Sequence, residues 1–257
     1  MLILIAESKT MNHTLRDVTP TERVERLPMF QSQADAIIAS LSGMSVGEIA
    51  SKLGIGPRSA KMMADDIYDF ANHATGITAV DAFTGVVFRS FDVPSLDDAS
   101  RGRMCHRLRI ISSLYGWLRP DDIIKPYRLD FTAKAAPDDT SMYSYWRKDV
   151  TVRLVNEIQD SGMREVVNLL PMDASKCIDW KLVKNFANVL VPNFKIQNGD
   201  SLSTPNSTLL KTLRGQLLRH IITDDIRDGK ALRDLITSDL VYLKDDPYSG
   251  HPQFVTA

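Results

Sequence analysis

The chain has 257 residues, of which 44% are hydrophobic and 25% are charged, and its formal net charge is −1. These values are typical of a folded protein with a substantial core, and they exclude binding to nucleic acid or membrane through overall charge alone. Cys105 and Cys177 form no CxxC-type motif, which favours a reducing compartment over a disulfide scaffold. No apolar run reaches the roughly 18–20 residues of a membrane span. We therefore expect a cytoplasmic protein with no membrane partner, folded as a single domain over residues 1–257.

In chain order, the apolar pattern predicts a strand at residues 2–5, two short helices at 45–70, a long helix at 100–118, a helix at 141–158, a strand at 166–170, a strand at 189–191 that continues through 194–196, a helix at 208–222 and a β-hairpin at 240–257. The three strands are continuous apolar runs, which are typical of strands covered by helices on both faces. The helix at 141–158 places Tyr143, Trp146, Val150 and Leu154 on one face. The predicted fold class is mixed α/β (α+β), with a central mixed sheet covered by helices.

The two helices at 45–70 form an inserted helix-hairpin-helix-like pair. Ser45 and Glu48 make a capping box at the start of the first helix, and Pro57 suits the first position of the second. The turn between them is rich in glycine. The same pattern is compatible with an ordinary corner between two helices, in which the glycines only make the turn.

The helix pair could also bind DNA. In a helix-hairpin-helix, glycine amides and the following helix N-terminus hold a phosphate without reading the sequence. A helix-turn-helix is less favoured, because Asp65, Asp66 and Asp69 on the second helix would repel the DNA backbone. The candidate DNA contacts are Gly54, Gly56, Arg58 and Lys61.

Basic residues are concentrated between Arg101 and Arg128, in a chain that is otherwise neutral. The arginines of the predicted helix at 100–118 lie outside its apolar stripe, so we expect them to be solvated. Arg119 precedes Pro120, and Arg128 alternates with apolar residues in a predicted strand at 127–131, which places Arg128 and Asp130 on one face. Guanidinium groups held in such constrained backbone are suited to bidentate binding of phosphate or carboxylate. A structural ion pair between Arg119 and Asp122 is the alternative.

Metal and cofactor chemistry has weak support. The five histidines show no metal-ligand spacing, and neither a P-loop nor a GxGxxG motif after a strand is present, so we expect no built-in metal and no cofactor. Arg103 and His106 flank Cys105, which could favour a reactive thiolate. A small, half-buried residue is the favoured interpretation of Cys105.

Two segments resemble the signature of the YaaA family of peroxide stress resistance proteins. They are Leu-Tyr-Gly-Trp-Leu-Arg-Pro-Asp-Asp at residues 114–122 and Lys-Pro-Tyr-Arg-Leu-Asp at 125–130. Further matches follow in the same order along the chain, at residues 1–5 with Lys9 and Thr10, 82–88, Tyr143 with 145–146, 168–169 with Lys176, 194–196, and 211–215 with Arg219.

This resemblance implies a protein of the response to hydrogen peroxide that keeps free iron low, limits iron-driven DNA damage and binds DNA through a helix-hairpin-helix. The sequence departs from the family pattern at several points. Ala6-Glu7-Ser8 stands in place of serine-proline-alanine, and Asp130 replaces glutamate. Within residues 168–174 a serine and a tyrosine are absent and Asp173 replaces glutamate, and residues 197–207 are additional.

Two functions are therefore predicted. The first is a stress protein that binds double-stranded DNA, without enzymatic activity. The second is an enzyme or binder of a small phosphate- or carboxylate-bearing ligand, because the matching basic residues are spread along the chain in a way that suits a folded pocket. The candidate ligand-binding residues are Lys9, Arg119, Tyr127, Arg128, Asp130, Lys176, Lys211, Arg214 and Arg219; five of them (Lys9, Arg119, Arg128, Lys176 and Arg214) are expected to converge.

Overall fold

The computed structural model of the chain describes residues 1–199 and 201–256. The strands are β1 (Leu2–Ala6), β2 (Arg16–Asp17), β3 (Thr75–Thr78), β4 (Leu108–Ser112), β5 (Gly116–Leu118), β6 (Ile123–Ile124), β7 (Glu165–Asn168), β8 (Asn188–Leu190), β9 (Asn193–Asn198), β10 (Ser201–Ser203), β11 (Val241–Asp245) and β12 (Pro252–Thr256). The helices are α1 (Pro20–Glu25), α2 (Gln31–Leu41), α3 (Val46–Leu53), α4 (Pro57–Asp69), α5 (Ala79–Ala82), α6 (Val86–Phe91), α7 (Asp98–Arg107), α8 (Met142–Ser161), α9 (Met172–Ser175), α10 (Trp180–Val183), α11 (Ser207–Thr223) and α12 (Gly229–Arg233).

A five-stranded sheet in the order β5-β4-β1-β7-β8 forms the centre of the molecule. Strands β4, β1, β7 and β8 are parallel to one another, and β5 pairs with β4 in the antiparallel direction. All five residues of β1 and of β4 are buried, as expected for strands covered on both faces. The predicted mixed α/β class with a central mixed sheet is confirmed.

Two smaller sheets flank this centre. The order β10-β9-β12-β11 gives a four-stranded sheet, in which β9 and β12 are parallel, and β2-β3-β6 gives a three-stranded sheet. The predicted hairpin at 240–257 is confirmed as β11 and β12, although Ala257 lies outside the described residues. The predicted continuation of the strand at 189–191 is wrong, because β8 and β9 belong to different sheets.

Trp146 fixes α8 on the central sheet. Its ring is fully buried, and its indole N–H donates to the carbonyl of Ser113 at 2.8 Å. Gly116 lies directly under the ring: a Cβ at this position would come within 2.6 Å of the indole, and the backbone has a φ of +67°. The Leu-Tyr-Gly-Trp-Leu segment therefore requires glycine for both the turn and the packing. The predicted helix at 141–158 is confirmed, as is the one at 208–222.

The predicted long helix at 100–118 is wrong. The chain forms α7, then β4, a turn and β5. The helical spacing of apolar residues also suits a strand buried on both faces, and β4 is such a strand, since it pairs with β1 in the interior of the sheet. The strand was mispredicted as a helix because Arg109, a charged residue near its centre, is typical of an exposed helix face.

The prediction that the helix arginines are solvated is also wrong. Arg107 and Arg109 are each 6% exposed. Arg109 forms a buried ion pair with Glu157 on α8, and Arg107 donates to the carbonyl oxygens of Met1 and Ile226. Arg103 donates to the carbonyl of Ile222 at 2.7 Å. These side chains satisfy buried backbone acceptors, so they hold the fold together instead of facing solvent.

Residues 127–130 have no regular secondary structure and Phe131 begins a turn, so the strand predicted at 127–131 is not formed. The alternation itself is confirmed. Tyr127, Leu129 and Phe131 are buried, and Arg128 and Asp130 share the other face in an ion pair of 2.5 Å. Within the described residues, no helix combines the length and the apolar character that a bilayer crossing requires.

Candidate anion-binding cavity

A cavity of about 460 Å³ opens where β1 and β7 end. The segments that follow the carboxyl ends of these parallel strands form its floor, which is where ligands commonly bind on open α/β sheets. Helices α6 and α11 and the chain near Asp130 form its walls. Its apolar lining includes Val87, Phe88, Phe131 and Leu169. The cavity can therefore accommodate a molecule that has an apolar part.

The charged lining has one more basic side chain than acidic side chains. Four basic and three acidic side chains reach the cavity: Lys9, Arg89, Lys211 and Arg214, with Glu7, Asp130 and Asp173. Of the candidate ligand-binding residues, Lys9, Asp130, Lys211 and Arg214 are brought together here. They come from three distant parts of the chain.

Helix α11 brings Lys211 and Arg214 to the cavity, because residues three apart share a helix face. This approach depends on Gly215. A Cβ at Gly215 would lie 2.4 Å from the carbonyl oxygen of Val87 and 2.6 Å from Cβ of Ser90, so α11 packs directly on the backbone of α6. A larger residue at position 215 would push the two basic side chains away from the opposite wall.

Arg214 stands out among these cations. It is partly buried, and its side chain makes no hydrogen bond or ion pair with any residue that the structure describes. Burial lowers the pKa of its guanidinium, and no carboxylate within residues 1–199 and 201–256 opposes this effect. Desolvating a cation without a partner costs free energy, which a bound anion would offset.

Lys9, Asp130 and Arg128 form a second charged group at the rim. Lys9 Nζ lies 2.9 Å from Oδ2 of Asp130, and Arg128 binds the same carboxylate at 2.5 Å. These cations hold the pKa of Asp130 below its usual range, although burial acts in the opposite direction. Asp130 therefore stays ionised and orients both basic side chains.

Glu7 lies on the floor of the cavity, one residue after β1. Its Oε2 accepts a hydrogen bond from the backbone N–H of Ser113 at 2.9 Å and another from the Tyr127 hydroxyl. Burial raises the pKa of Glu7 from 4.5 to about 7, against the opposing effect of these hydrogen bonds. Near neutral pH this carboxyl can therefore carry a proton or release it.

Tyr127 connects the floor to the sheet. Its hydroxyl lies 2.7 Å from Oγ of Ser112, at the end of β4, and also binds Glu7. The ring is 5% exposed and packs edge-on against Phe83 and Tyr115. Tyr127 thus supports the cavity from below and does not line it.

The remaining candidate residues lie outside the lining. Lys176 is 3.2 Å from the cavity residue Asp173 and lies over the ring of Tyr143. Arg119 binds Asp122 at 2.8 Å, the structural pairing that the sequence offered as an alternative. Arg219 donates to the carbonyl of Phe91 at 2.9 Å and so ties α11 to α6. Of the five residues expected to converge, only Lys9 and Arg214 line the cavity. Arg128 and Lys176 pair with its lining carboxylates Asp130 and Asp173, and Arg119 is not part of it.

Glu7 and Arg89 were absent from the candidate residues. Glu7 carries a detectable signal, because an acidic residue directly after a buried strand and near a lysine belongs at the ligand-binding edge of a parallel sheet. Arg89 carries no such signal. It reaches the cavity from α6, which begins directly after Gly85, and the backbone N–H of Gly85 donates to Oγ of Ser8 at 3.0 Å.

The two cysteines have little thiolate character. Cys177 is fully buried, and burial raises the pKa of its thiol. Cys105 is half-buried, and burial likewise raises the pKa of its thiol despite the nearby arginines. The favoured interpretation of Cys105 as a half-buried residue is confirmed. Within residues 1–199 and 201–256, no group of three or more His, Cys, Asp or Glu side chains is placed to hold a metal ion.

The predicted helix pair is present as α3 and α4. The Ser45–Glu48 capping box is formed, and Pro57 is the first residue of α4. Gly54 ends α3 with a φ of +64°, and Gly56 precedes α4 without a side-chain cap. Lys61 is engaged with Asp65 one turn away. Two helices joined by a short turn are also what an ordinary corner provides, so a role in DNA binding stays a prediction.

The chain is similar to a known family over nearly its whole length. The family model described as peroxide stress protein YaaA matches residues 1–246. A UPF0246 protein of Parabacteroides distasonis is 31% identical over 235 residues, which cover 91% of each chain. Another, of Bacteroides fragilis, is 29% identical over 91% of this chain and 90% of its own. A third, of Shewanella baltica, is 28% identical, and the alignment covers both chains fully.

Proposed function

Because the chain belongs to the family of the peroxide stress protein YaaA, we propose that it serves the cytoplasmic response to hydrogen peroxide by binding a small anionic molecule in this cavity. The ligand carries a phosphate or carboxylate group, which Arg214, Lys211 and Lys9 bind, and an apolar part that contacts Phe88 and Phe131. The observation that carries this proposal is the partly buried guanidinium of Arg214, which has no partner among the described residues. Guanidinium groups bind phosphate and carboxylate in a bidentate geometry.

The proposal is tested by isothermal titration of the protein with inorganic phosphate, sulfate and benzoate. We expect binding of at least one of these anions. A parallel titration with acetate should show weaker binding than benzoate, because acetate lacks an apolar ring to contact the apolar walls. Arg214→Gln should weaken binding by about 10- to 100-fold, the size of a lost hydrogen bond to a charged group. Absence of binding for all three anions would overturn the proposal.

Arg164→Gln is the matched control. Arg164 is exposed and directly precedes β7, so it lies at the edge of the sheet opposite the cavity. This variant removes the same charge and should bind each anion as the unmodified protein does. Equal losses in the Arg164 and Arg214 variants would mean that overall charge, and not the cavity, determines binding.

A second proposed function is binding of duplex DNA by the turn between α3 and α4. It is favoured by the uncapped N-terminus of α4 at Gly56 and by the exposed side chain of Arg58. Backbone amides at such a helix start can hold a phosphate. The expected binding weakens log-linearly with salt and has little sequence preference. If the double variant Gly56→Asp, Arg58→Glu still binds DNA at low salt, the turn is not the site.

The family resemblance also implies that the protein limits iron-driven DNA damage. We propose that this effect is indirect and follows from ligand binding. Cells that carry the Arg214→Gln variant should then contain more free iron after peroxide treatment than cells with the Arg164→Gln control. Equal iron levels in the two strains would show that ligand binding in the cavity does not affect the amount of free iron.

A further inference from the structure

Glu7 is the acidic residue that the cavity holds on its floor. The Ser113 N–H and the Tyr127 hydroxyl both donate to its Oε2, and the nearby Ser112 and Ser113 side chains also favour its ionised form. Oε1 is then the oxygen that is left for a molecule bound in the cavity.

The charges around Glu7 do not neutralise it. Lys9, on the same segment, is paired with Asp130 at 2.9 Å and not with Glu7. From the other elements, the groups that face the floor are the Tyr127 hydroxyl, the buried Cys177 thiol, and the cavity side chains Arg89, Asp130, Asp173, Lys211 and Arg214. Among the described residues, no cation donates a hydrogen bond to Glu7. Desolvation therefore dominates and raises the pKa of Glu7 to about 7.

We propose that Glu7 determines which ligands the cavity accepts, by donating a hydrogen bond from its protonated carboxyl to an oxygen of the bound phosphate or carboxylate group. This inference rests on the proposed function as an anion-binding site. An ionised Glu7 would face the anion with a third negative charge in the lining, whereas the protonated acid leaves two carboxylates against four cations. A carboxylic acid kept neutral by an apolar site can serve as a hydrogen-bond donor to an anionic oxygen.

Binding of the anion should therefore take up a proton from solvent. The only covalent change is this protonation: buffer or water gives up one proton, the ionised Glu7 gains it as an O–H, and that O–H donates a hydrogen bond to the bound anion. Because Glu7 has a pKa of about 7, the protonated fraction falls by about tenfold for each pH unit above this value. The dissociation constant should rise by the same factor, since only the protonated state is competent to bind.

The test uses sulfate, which does not titrate near neutral pH, as the probe. Isothermal titration between about pH 6 and pH 8, in two buffers with different ionisation enthalpies, measures the affinity and the number of protons taken up. The unmodified protein should bind about tenfold more weakly for each unit above pH 7 and should take up protons. Glu7→Gln, whose amide still accepts from Ser113 N–H and can donate to the anion, should bind with no pH dependence and take up no proton.

The outcomes separate the two proposals. If sulfate binds with the same affinity at every pH and without proton uptake, Glu7 is not the donor, and the anion site stands without it. If Glu7→Gln retains the pH dependence, another group takes the proton and the inference is overturned. The proton uptake of the unmodified protein decides the question even if the variant folds poorly. If the protein binds none of sulfate, phosphate and benzoate, the anion site itself fails, and the inference fails with it.

Discussion

At the residue scale, Tyr127 offers a direct way to change the pKa of Glu7. Its hydroxyl donates to Glu7 and lowers the pKa of that carboxyl, while burial raises it. Tyr127→Phe keeps the ring but removes this donor, so the pKa of Glu7 should rise further. The pH above which sulfate affinity falls should then move upward, which titrations over a series of pH values would measure.

A matched control for this variant is Tyr145→Phe. Tyr145 is only partly buried, packs against Trp146 and makes no hydrogen bond through its hydroxyl among the described residues. Tyr145→Phe should leave unchanged the pH above which sulfate affinity falls, which is the pH midpoint of binding. A midpoint that stays in place in the Tyr127 variant would show that the hydroxyl does not reach the group that titrates.

At the residue scale, sequence patterns located basic side chains but not their partners. Arg119 and Arg128 were both predicted to be binding groups because each lies in constrained backbone beside proline. In the structure Arg119 forms an ion pair with Asp122, and Arg128 forms one with the rim carboxylate Asp130. Whether an arginine meets a carboxylate of its own chain or an open cavity depends on residues that pack from elsewhere. A local pattern does not contain that information.

The close contact between α6 and α11 leads to a prediction at the scale of elements. Gly215→Ala places a Cβ 2.4 Å from the Val87 carbonyl oxygen, so the helices must separate. We expect a loss of about 1–3 kcal/mol in the free energy of unfolding, as for other overpacked sites. Anion affinity should also fall, because Arg214 moves with α11. Urea denaturation and sulfate titration measure the two effects.

Gly102→Ala is the control for this helix glycine. Gly102 lies within α7, and a Cβ there would have no neighbour within 4 Å. The variant should therefore be neutral or more stable by about 0.5–1 kcal/mol, since alanine is the better helix former. Similar stability losses in both variants would contradict the packing argument for Gly215.

At the scale of elements, a helix or strand was predictable where the spacing of its apolar residues fits only one type of secondary structure. The helix at 141–158 has an apolar stripe that only a helix explains, and α8 forms there. Residues 108–112 fit either a strand or part of a helix, because the apolar residues of β4 also match helical spacing. The deciding fact is that the charge of Arg109 is neutralised by Glu157, which lies 48 residues away on α8. Tertiary structure thus overrides the local pattern.

At the scale of the whole molecule, the cavity is assembled from five separate parts of the chain. Its walls come from residues 5–10, 85–89, 130–132, 169–173 and 211–214. The expectation of a shared pocket came from basic residues spread along the chain, and Lys9, Lys211 and Arg214 do meet. Glu7 could be identified as acidic from the sequence, but its raised pKa could not, since that results from burial by all these segments together.

The raised pKa of Glu7 also predicts how the stability of the whole protein varies with pH. The unfolded chain ionises Glu7 near pH 4.5, whereas the folded protein keeps it protonated up to about pH 7. Between these values the folded state binds more protons, so the free energy of unfolding falls as pH rises, by about 3 kcal/mol in total.

Glu7→Gln lacks this loss, and its stability relative to the unmodified protein should therefore increase from pH 5 to pH 8. The pKa of Asp122 is also raised, to about 6, but its contribution is common to both proteins and cancels in the difference. Urea midpoints at the two pH values measure this difference, and a constant difference would show that Glu7 does not titrate in this range.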